Sequence, residues 1–248
     1  MLNVPLSSVE TVIFAAVILL WAALLLGGFI FGKPTKSNPR RMPRMTRLAS
    51  SFVLVAGAWF WFAVSQGTRI DLMAFWFAVG MTCGLVGDIF LARVDGSDND
   101  LLYGMISFAL GHIAYVIGIV QVSHHFDQWT WLLDVLATWW AIGSVGWLLI
   151  VFLRNKITPL HFAALPYSLL LANTGGFAAV LAMHDSSFSL IVLGAALFLL
   201  SDAILALKLF RQWDPPLLDD FVWLTYGPGQ MLIVFGVFLY LATNMGAG

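Results

Sequence analysis

The chain reads as an all-α, polytopic integral membrane bundle of eight transmembrane helices, forming a single domain over residues 1–248. Three observations predict this. The composition is 60% hydrophobic and only 10% charged, with a mean hydropathy of +0.91, too apolar to solvate the surface of an ordinary globule. Eight apolar runs can be counted, each about the 20 residues that a helix needs to cross the hydrocarbon core. The longest polar segment, Lys33 to Arg47, is too short for a separate soluble domain.

The first span is placed at 9–32; the first ten residues contain Glu10 and no Lys or Arg. A cleaved signal sequence opens with a basic region, so this span is expected to be retained. The second span, 48–66, follows the basic segment. Spans three and four, 72–92 and 101–123, flank Asp95-Gly96-Ser97-Asp98-Asn99-Asp100. That loop lacks the residue order and closing Glu of an EF-hand and is expected to be a solvated turn capping the fourth helix. The fifth span, 131–153, begins among Trp129, Trp131, Trp139 and Trp140, which read as an interfacial aromatic belt around Asp134. The sixth, 160–182, carries Pro166. The seventh is 188–207. The eighth, 220–244, contains Tyr226-Gly227-Pro228-Gly229-Gln230, where the missing proline donor and two glycines predict a kink or unwound turn.

Charge sets the orientation. Lys33, Lys36, Arg40, Arg41, Arg44 and Arg47 share one loop, and with eight spans Arg93, Arg154, Lys156, Lys208 and Arg211 fall on the same side of the membrane. Arg69 alone falls on the other, so eleven of the twelve basic residues choose one face. The positive-inside rule makes that face cytoplasmic and predicts a multi-pass cell-membrane protein with its N and C termini outside. The same rule explains the basic loop without nucleic acid. The single cysteine, Cys83, lies within a span, so neither a disulfide framework nor a cysteine-based metal site is expected.

Asp88 and Asp202 stand apart from the other acidic residues, which fall in loops, at helix ends or at the interface. Asp88 sits in Thr82-Cys83-Gly84-Leu85-Val86-Gly87-Asp88-Ile89-Phe90-Leu91-Ala92, and Asp202 in Phe198-Leu199-Leu200-Ser201-Asp202-Ala203-Ile204-Leu205-Ala206. Charged groups are costly in lipid, so both are candidate functional residues. The two are 202 − 88 = 114 residues apart, and the same offset aligns Gly80 with Gly194, Gly87 with Ser201, Leu91 with Leu205 and Ala92 with Ala206. It predicts a four-helix unit used twice in parallel orientation. Gly80, Gly84 and Gly87 form a small-residue stripe beside Asp88, as expected where helices pack closely.

Asp88 precedes Arg93 by five residues and Asp202 precedes Lys208 by six. Both carboxylates thus lie about 7–9 Å below the cytoplasmic charges, level with the glycerol and first acyl carbons of the inner leaflet. Two carboxyls in a low-dielectric site do not readily both ionise, which supplies one acid and one base. His112, well inside the fourth span, is a candidate proton donor or substrate ligand. It aligns with Tyr226 by the same offset, so both rings are expected to face one cavity. Gln230, one turn beyond Tyr226, could hydrogen-bond a substrate oxygen; Tyr167 and Asn173 follow Pro166 in the sixth span as further candidates.

The combination of Gly87-Asp88-Ile89-Phe90-Leu91, Gly111-His112 with Tyr115, Ser201-Asp202-Ala203-Ile204-Leu205, and Tyr226 with Gln230 resembles the YhhN-type integral membrane proteins, which include the animal lysoplasmalogenases. The resemblance runs from the first span to the last. It implies hydrolysis of the sn-1 vinyl ether bond of a lysoplasmalogen or related lysolipid, releasing a fatty aldehyde and a glycerophospho-alcohol. Asp88 and Asp202 are then the expected catalytic pair. His112, Tyr115, Tyr167, Asn173, Ser201, Tyr226 and Gln230 are the expected substrate-binding set. No cofactor, metal or protein partner is expected; the partners are the lysophospholipid substrate and membrane lipids. Vinyl ether hydrolysis proceeds through an oxocarbenium ion, and glycosidases handle a similar transition state with two carboxyls. The alternative is a proton-coupled small-molecule or lipid transporter, since intramembrane carboxylates also serve as proton relays. Secondary transporters usually place such sites near the midplane rather than to one side.

Overall fold

A computed structural model describes residues 7–34, 40–93, 98–123, 132–153 and 157–244. Among these, eight helices are long and apolar enough to cross a membrane, and the chain is a multi-pass membrane protein. They are α1 (Ser8–Phe31), α2 (Arg44–Val64), α3 (Asp71–Arg93), α4 (Asp98–Ser123), α5 (Leu132–Gly146), α6 (Pro159–His184), α7 (Ser189–Arg211) and α8 (Leu218–Asn244). Each matches an expected span to within a few residues. Asp95, Gly96 and Ser97 of the loop expected between the third and fourth spans, together with Trp129 and Trp131, lie outside the described residues, while Asp98, Asn99 and Asp100 already belong to the first turn of α4.

Local chemistry accounts for where the helices begin and end. Ser7 and Glu10 form a reciprocal capping box on α1, satisfying backbone donors that the first turn leaves open. The fifth span continues beyond α5 as a π-helical turn, Trp147–Phe152. Sequence pattern did not predict it, because the wider turn changes the hydrogen-bond register without interrupting the apolar run. Arg211, in the last turn of α7, donates to the Leu149 and Ile150 carbonyls of that turn. The side chain thereby covers carbonyls that the end of a helix leaves without an intrahelical donor.

The helix pairing repeats. Beside α3, Gly80 leaves no room for a side chain against the Gly111 carbonyl and the Tyr115 ring of α4. Beside α7, a Cβ on Gly194 would come within 2.7 Å of the Gly229 carbonyl and the Ile233 amide of α8. The Gly80–Tyr115 and Gly194–Gly229 approaches are related by the offset of 114 residues. Small residues let helices meet backbone to backbone, where lipid supplies no hydrophobic force to hold them together.

This packing corrects the expectation of an unwound turn at Pro228. Helix α8 runs unbroken through it, because the adjacent Gly229 presses on α7 and the backbone is enclosed by protein. Away from the basic end of the bundle, Phe14 stacks on Phe238 at 4.0 Å, with Trp61 and Phe235 edge-on to the cluster. At the basic end, Asp220 accepts the Arg41 and Met42 amides, and Asp219 accepts Arg40 and Lys208 at 2.7 Å each. The start of α8 thus holds the chain that enters α2.

Candidate active site

Asp88 is buried on α3. Its Oδ2 accepts the Ser51 hydroxyl of α2 at 2.5 Å and the Tyr226 hydroxyl of α8 at 3.0 Å. Both donors come from other helices, so the carboxyl is fixed by the tertiary fold rather than by its own turn. Behind Tyr226 the line continues: the Gln230 amide donates to the Tyr226 oxygen at 3.3 Å, and the Tyr115 hydroxyl donates to Gln230 Oε1 at 2.7 Å. Every donor in this chain points toward Asp88.

Asp202 is half-buried on α7. It accepts the Tyr167 hydroxyl of α6 at 2.6 Å and, weakly, its neighbour Ser201 at 3.5 Å. Each aspartate therefore takes a hydroxyl from the helix before its own, Ser51 on α2 for Asp88 and Tyr167 on α6 for Asp202.

The two carboxylates border one cavity of 240 Å³. Its other walls include Ser201, Tyr226, Trp223, the cations Arg40, Arg47 and Lys208, and a third carboxylate, Asp219. A second cavity, of 410 Å³, is lined almost wholly by apolar side chains from α3 to α7, among them Trp139, Trp147, Leu171 and Leu200. Its size is typical of small-ligand pockets, about 300–1,000 Å³. Asp202, Leu91, Leu101, Phe108, Leu205 and Leu209 border both spaces. An apolar space and a charged one therefore meet at Asp202. Trp139, expected in an interfacial belt, instead walls the apolar cavity and packs on Gly175.

The expected binding residues divide. Tyr226 and Ser201 line the charged cavity, and Tyr167 lines the apolar one. Tyr115 and Gln230 stand behind Tyr226 and border neither. His112 also borders neither cavity: its Nδ1 is within 2.8 Å of the Thr174 hydroxyl, and Phe198 packs edge-on against its ring at 4.5 Å. This corrects the expectation that His112 and Tyr226 share a cavity, for Phe198 contacts both rings. Asn173 accepts the Trp140 indole at 2.8 Å and faces α5 away from both cavities.

Sequence reasoning missed Ser51 and Arg47 as site residues. They lie four residues apart on one face of α2, and that spacing was the available signal. Among the described residues no cluster of three or more metal-ligating side chains is found.

Fold and site together define a polytopic α-helical membrane protein with one carboxylate, Asp202, where an apolar cavity meets a charged one, and a second, Asp88, in the charged cavity. The YhhN family model matches residues 42–237, and the chain belongs to that family. No curated protein and no solved structure matches it. The matched stretch includes both aspartates and every hydroxyl that donates to them.

Proposed function

We propose that the protein is a membrane-embedded hydrolase of the sn-1 vinyl ether bond of a lysoplasmalogen or closely related lysolipid. The observation that carries this reading is the position of Asp202 on both cavities, with Asp88 in the charged one. A single-chain lipid laid across the junction has its alkyl chain in the apolar space and its glycerol on the charged side. The vinyl ether then lies between, beside the two carboxylates.

We assign the roles from position. The β carbon of the vinyl ether belongs to the alkyl side, where Asp202 stands, so Asp202 is the acid that adds a proton there. The C=C electron pair forms the new C–H bond and leaves an oxocarbenium ion at the α carbon. Asp88, on the glycerol side, takes a proton from the water that attacks this carbon. The hemiacetal collapses as its hydroxyl gives a proton to Asp202 and the glycerol oxygen takes one from Asp88, releasing fatty aldehyde and glycerophospho-alcohol. One water is consumed and both carboxyls return to their starting states. Tyr167 holds Asp202, while Ser51 and Tyr226 hold Asp88, as acid/base groups need fixed geometry.

The test is incubation of detergent-purified protein with vinyl ether, alkyl ether and ester lysolipids, with products identified by mass spectrometry. Aldehyde release from the vinyl ether lipid alone supports the reading, and no transport process can imitate it in detergent. No product from any of the three removes it.

A further inference from the structure

The charged cavity contains a cation that the acid/base chemistry does not use. Arg47, in the first turn of α2, is only 6% exposed and lines the cavity. Its Nε has no hydrogen-bond partner, and it belongs to none of the ion pairs among the described residues. Arg40 and Lys208 are compensated by Asp219, and Lys208 also by Asp214 at 3.3 Å. Asp88 and Asp219 line the same cavity and act on Arg47 through their charge without pairing with it, and a guanidinium withdrawn from water with no paired carboxylate is costly to maintain. The fold holds it against the Trp223 ring, 5.2 Å from the centroid. Stacking uses the flat face of the group and leaves its N–H edge for a planar or tetrahedral oxyanion.

We propose that Arg47 is the phosphate subsite of this cavity, binding the phosphodiester of a single-chain glycerophospholipid. Arginine meets phosphate through paired N–H···O bonds, which fix position as well as supply charge. Arg40 and Lys208 line the same cavity but are both held by Asp219, which lines it too, so among the described residues Arg47 is the cation of this wall with no ion-pair partner. The apolar cavity continues from this one through Asp202 and Phe108, so the geometry favours an anion carrying an alkyl chain over free phosphate. Trp223, beneath Arg47, also packs edge-on against Tyr226 at 5.2 Å, and Tyr226 donates to Asp88. A phosphate on Arg47 is thereby set in register with the carboxylates. The assignment takes its substrate class from the hydrolase reading above.

The experiment measures equilibrium binding of two uncleavable labelled lipids to the full chain in detergent: an alkyl ether glycerophosphoethanolamine and the alkylglycerol of equal chain length. Wild type is expected to bind the phospholipid at least about tenfold tighter, the scale of one charge-assisted contact. Arg47→Gln is expected to erase that preference while leaving alkylglycerol affinity unchanged, which also reports an intact apolar cavity. Should that variant fail to fold, Arg47→Lys, which keeps charge but loses the fork, is expected to retain part of the preference. Equal affinities in wild type overturn the subsite, as does full preference in Arg47→Gln or Arg47→Lys. Equal loss of both lipids in a folded Arg47→Gln assigns the residue to packing and also overturns it. Inorganic phosphate in the millimolar range is expected to compete weakly; competition equal to that of the lipid would make this a free-anion site. Phosphate-dependent binding without turnover of any lipid removes the hydrolase reading and keeps the subsite. Turnover without phosphate preference does the reverse.

Discussion

Tyr226 donates its hydroxyl to Asp88 at 3.0 Å, and that bond joins a buried line running from Tyr115 through Gln230 to the carboxylate of α3. The line has a fixed direction, because the Gln230 amide must accept with its oxygen from Tyr115 and donate with its nitrogen to Tyr226. It presents Asp88 with a donor whose orientation is fixed by the fold.

Tyr226→Phe removes that donor and keeps the ring against Phe108, Phe198 and Trp223. A hydrogen bond to a charged group contributes about 1.5–3 kcal/mol, so turnover should fall roughly 10- to 100-fold while the fold survives. Gln230→Ala acts one bond further back and should cost less. Steady-state rates with thermal unfolding as a control check both. Normal turnover in Tyr226→Phe would disconnect the line from catalysis.

Asp88→Asn and Asp202→Asn preserve size and remove acid/base capacity. Each should lower turnover by about 10²- to 10⁴-fold. Because the proposed steps need both groups, the double variant should lose little beyond either single one. Aldehyde release measured across the three variants gives the answer. Near-normal rates in both single variants would assign the aspartates to another role.

Much of this was legible in the sequence because lipid imposes simple demands. A span must be long and apolar, and a carboxylate within one needs a reason to be there, so the eight helices and Asp88 and Asp202 could be picked out directly. Tyr226 was identifiable because it falls at the 114-residue offset from His112, Tyr167 because it follows Pro166, and Ser201 because it sits beside Asp202. Ser51 was not, since a serine in a helix is inexpensive and its partner Asp88 lies 37 residues away. Arg47 was hidden differently: among six basic residues of one loop it reads as a topology signal, and only tertiary packing shows that it is buried in a cavity. His112 misled for the opposite reason. A lone intramembrane histidine suggests chemistry, but Thr174 and Phe198 enclose it.

Gly194→Ala tests the close approach of α7 and α8. The added Cβ would fall within 2.7 Å of two backbone atoms, which cannot rotate away. Helix separation should increase, with destabilisation of about 1–3 kcal/mol. Thermal unfolding in detergent is the measurement. A variant as stable as wild type would show that the two helices can part without loss.

The orientation inferred from charge places the loops containing Arg40, Arg93, Arg154 and Lys208 in the cytoplasm. After Cys83→Ala, single cysteines introduced beside these residues should resist a membrane-impermeant thiol reagent in intact cells and react after permeabilisation. Labelling of any of these loops in intact cells would reverse the topology and the leaflet from which substrate enters.

Gly146 offers a direct probe of the apolar cavity. It lies at the end of α5 and lines the 410 Å³ space, and a Cβ built on it meets nothing within 4 Å. A large side chain there can fill the cavity without displacing backbone, unlike substitution at Gly175, where the Trp139 ring already occupies the position. Gly146→Phe should therefore fold and should leave Asp88 and the charged cavity untouched. If the alkyl chain occupies this space, the variant will lose activity on long-chain lysolipids while retaining it on short ones. Each methylene denied burial costs about 0.8 kcal/mol, so two excluded methylenes should shift relative kcat/KM by roughly tenfold. The check is a competition between vinyl ether lysolipids of graded chain length. An unchanged length profile in a folded Gly146→Phe would place the chain elsewhere and remove the assignment of Asp202 to the alkyl side of the bond.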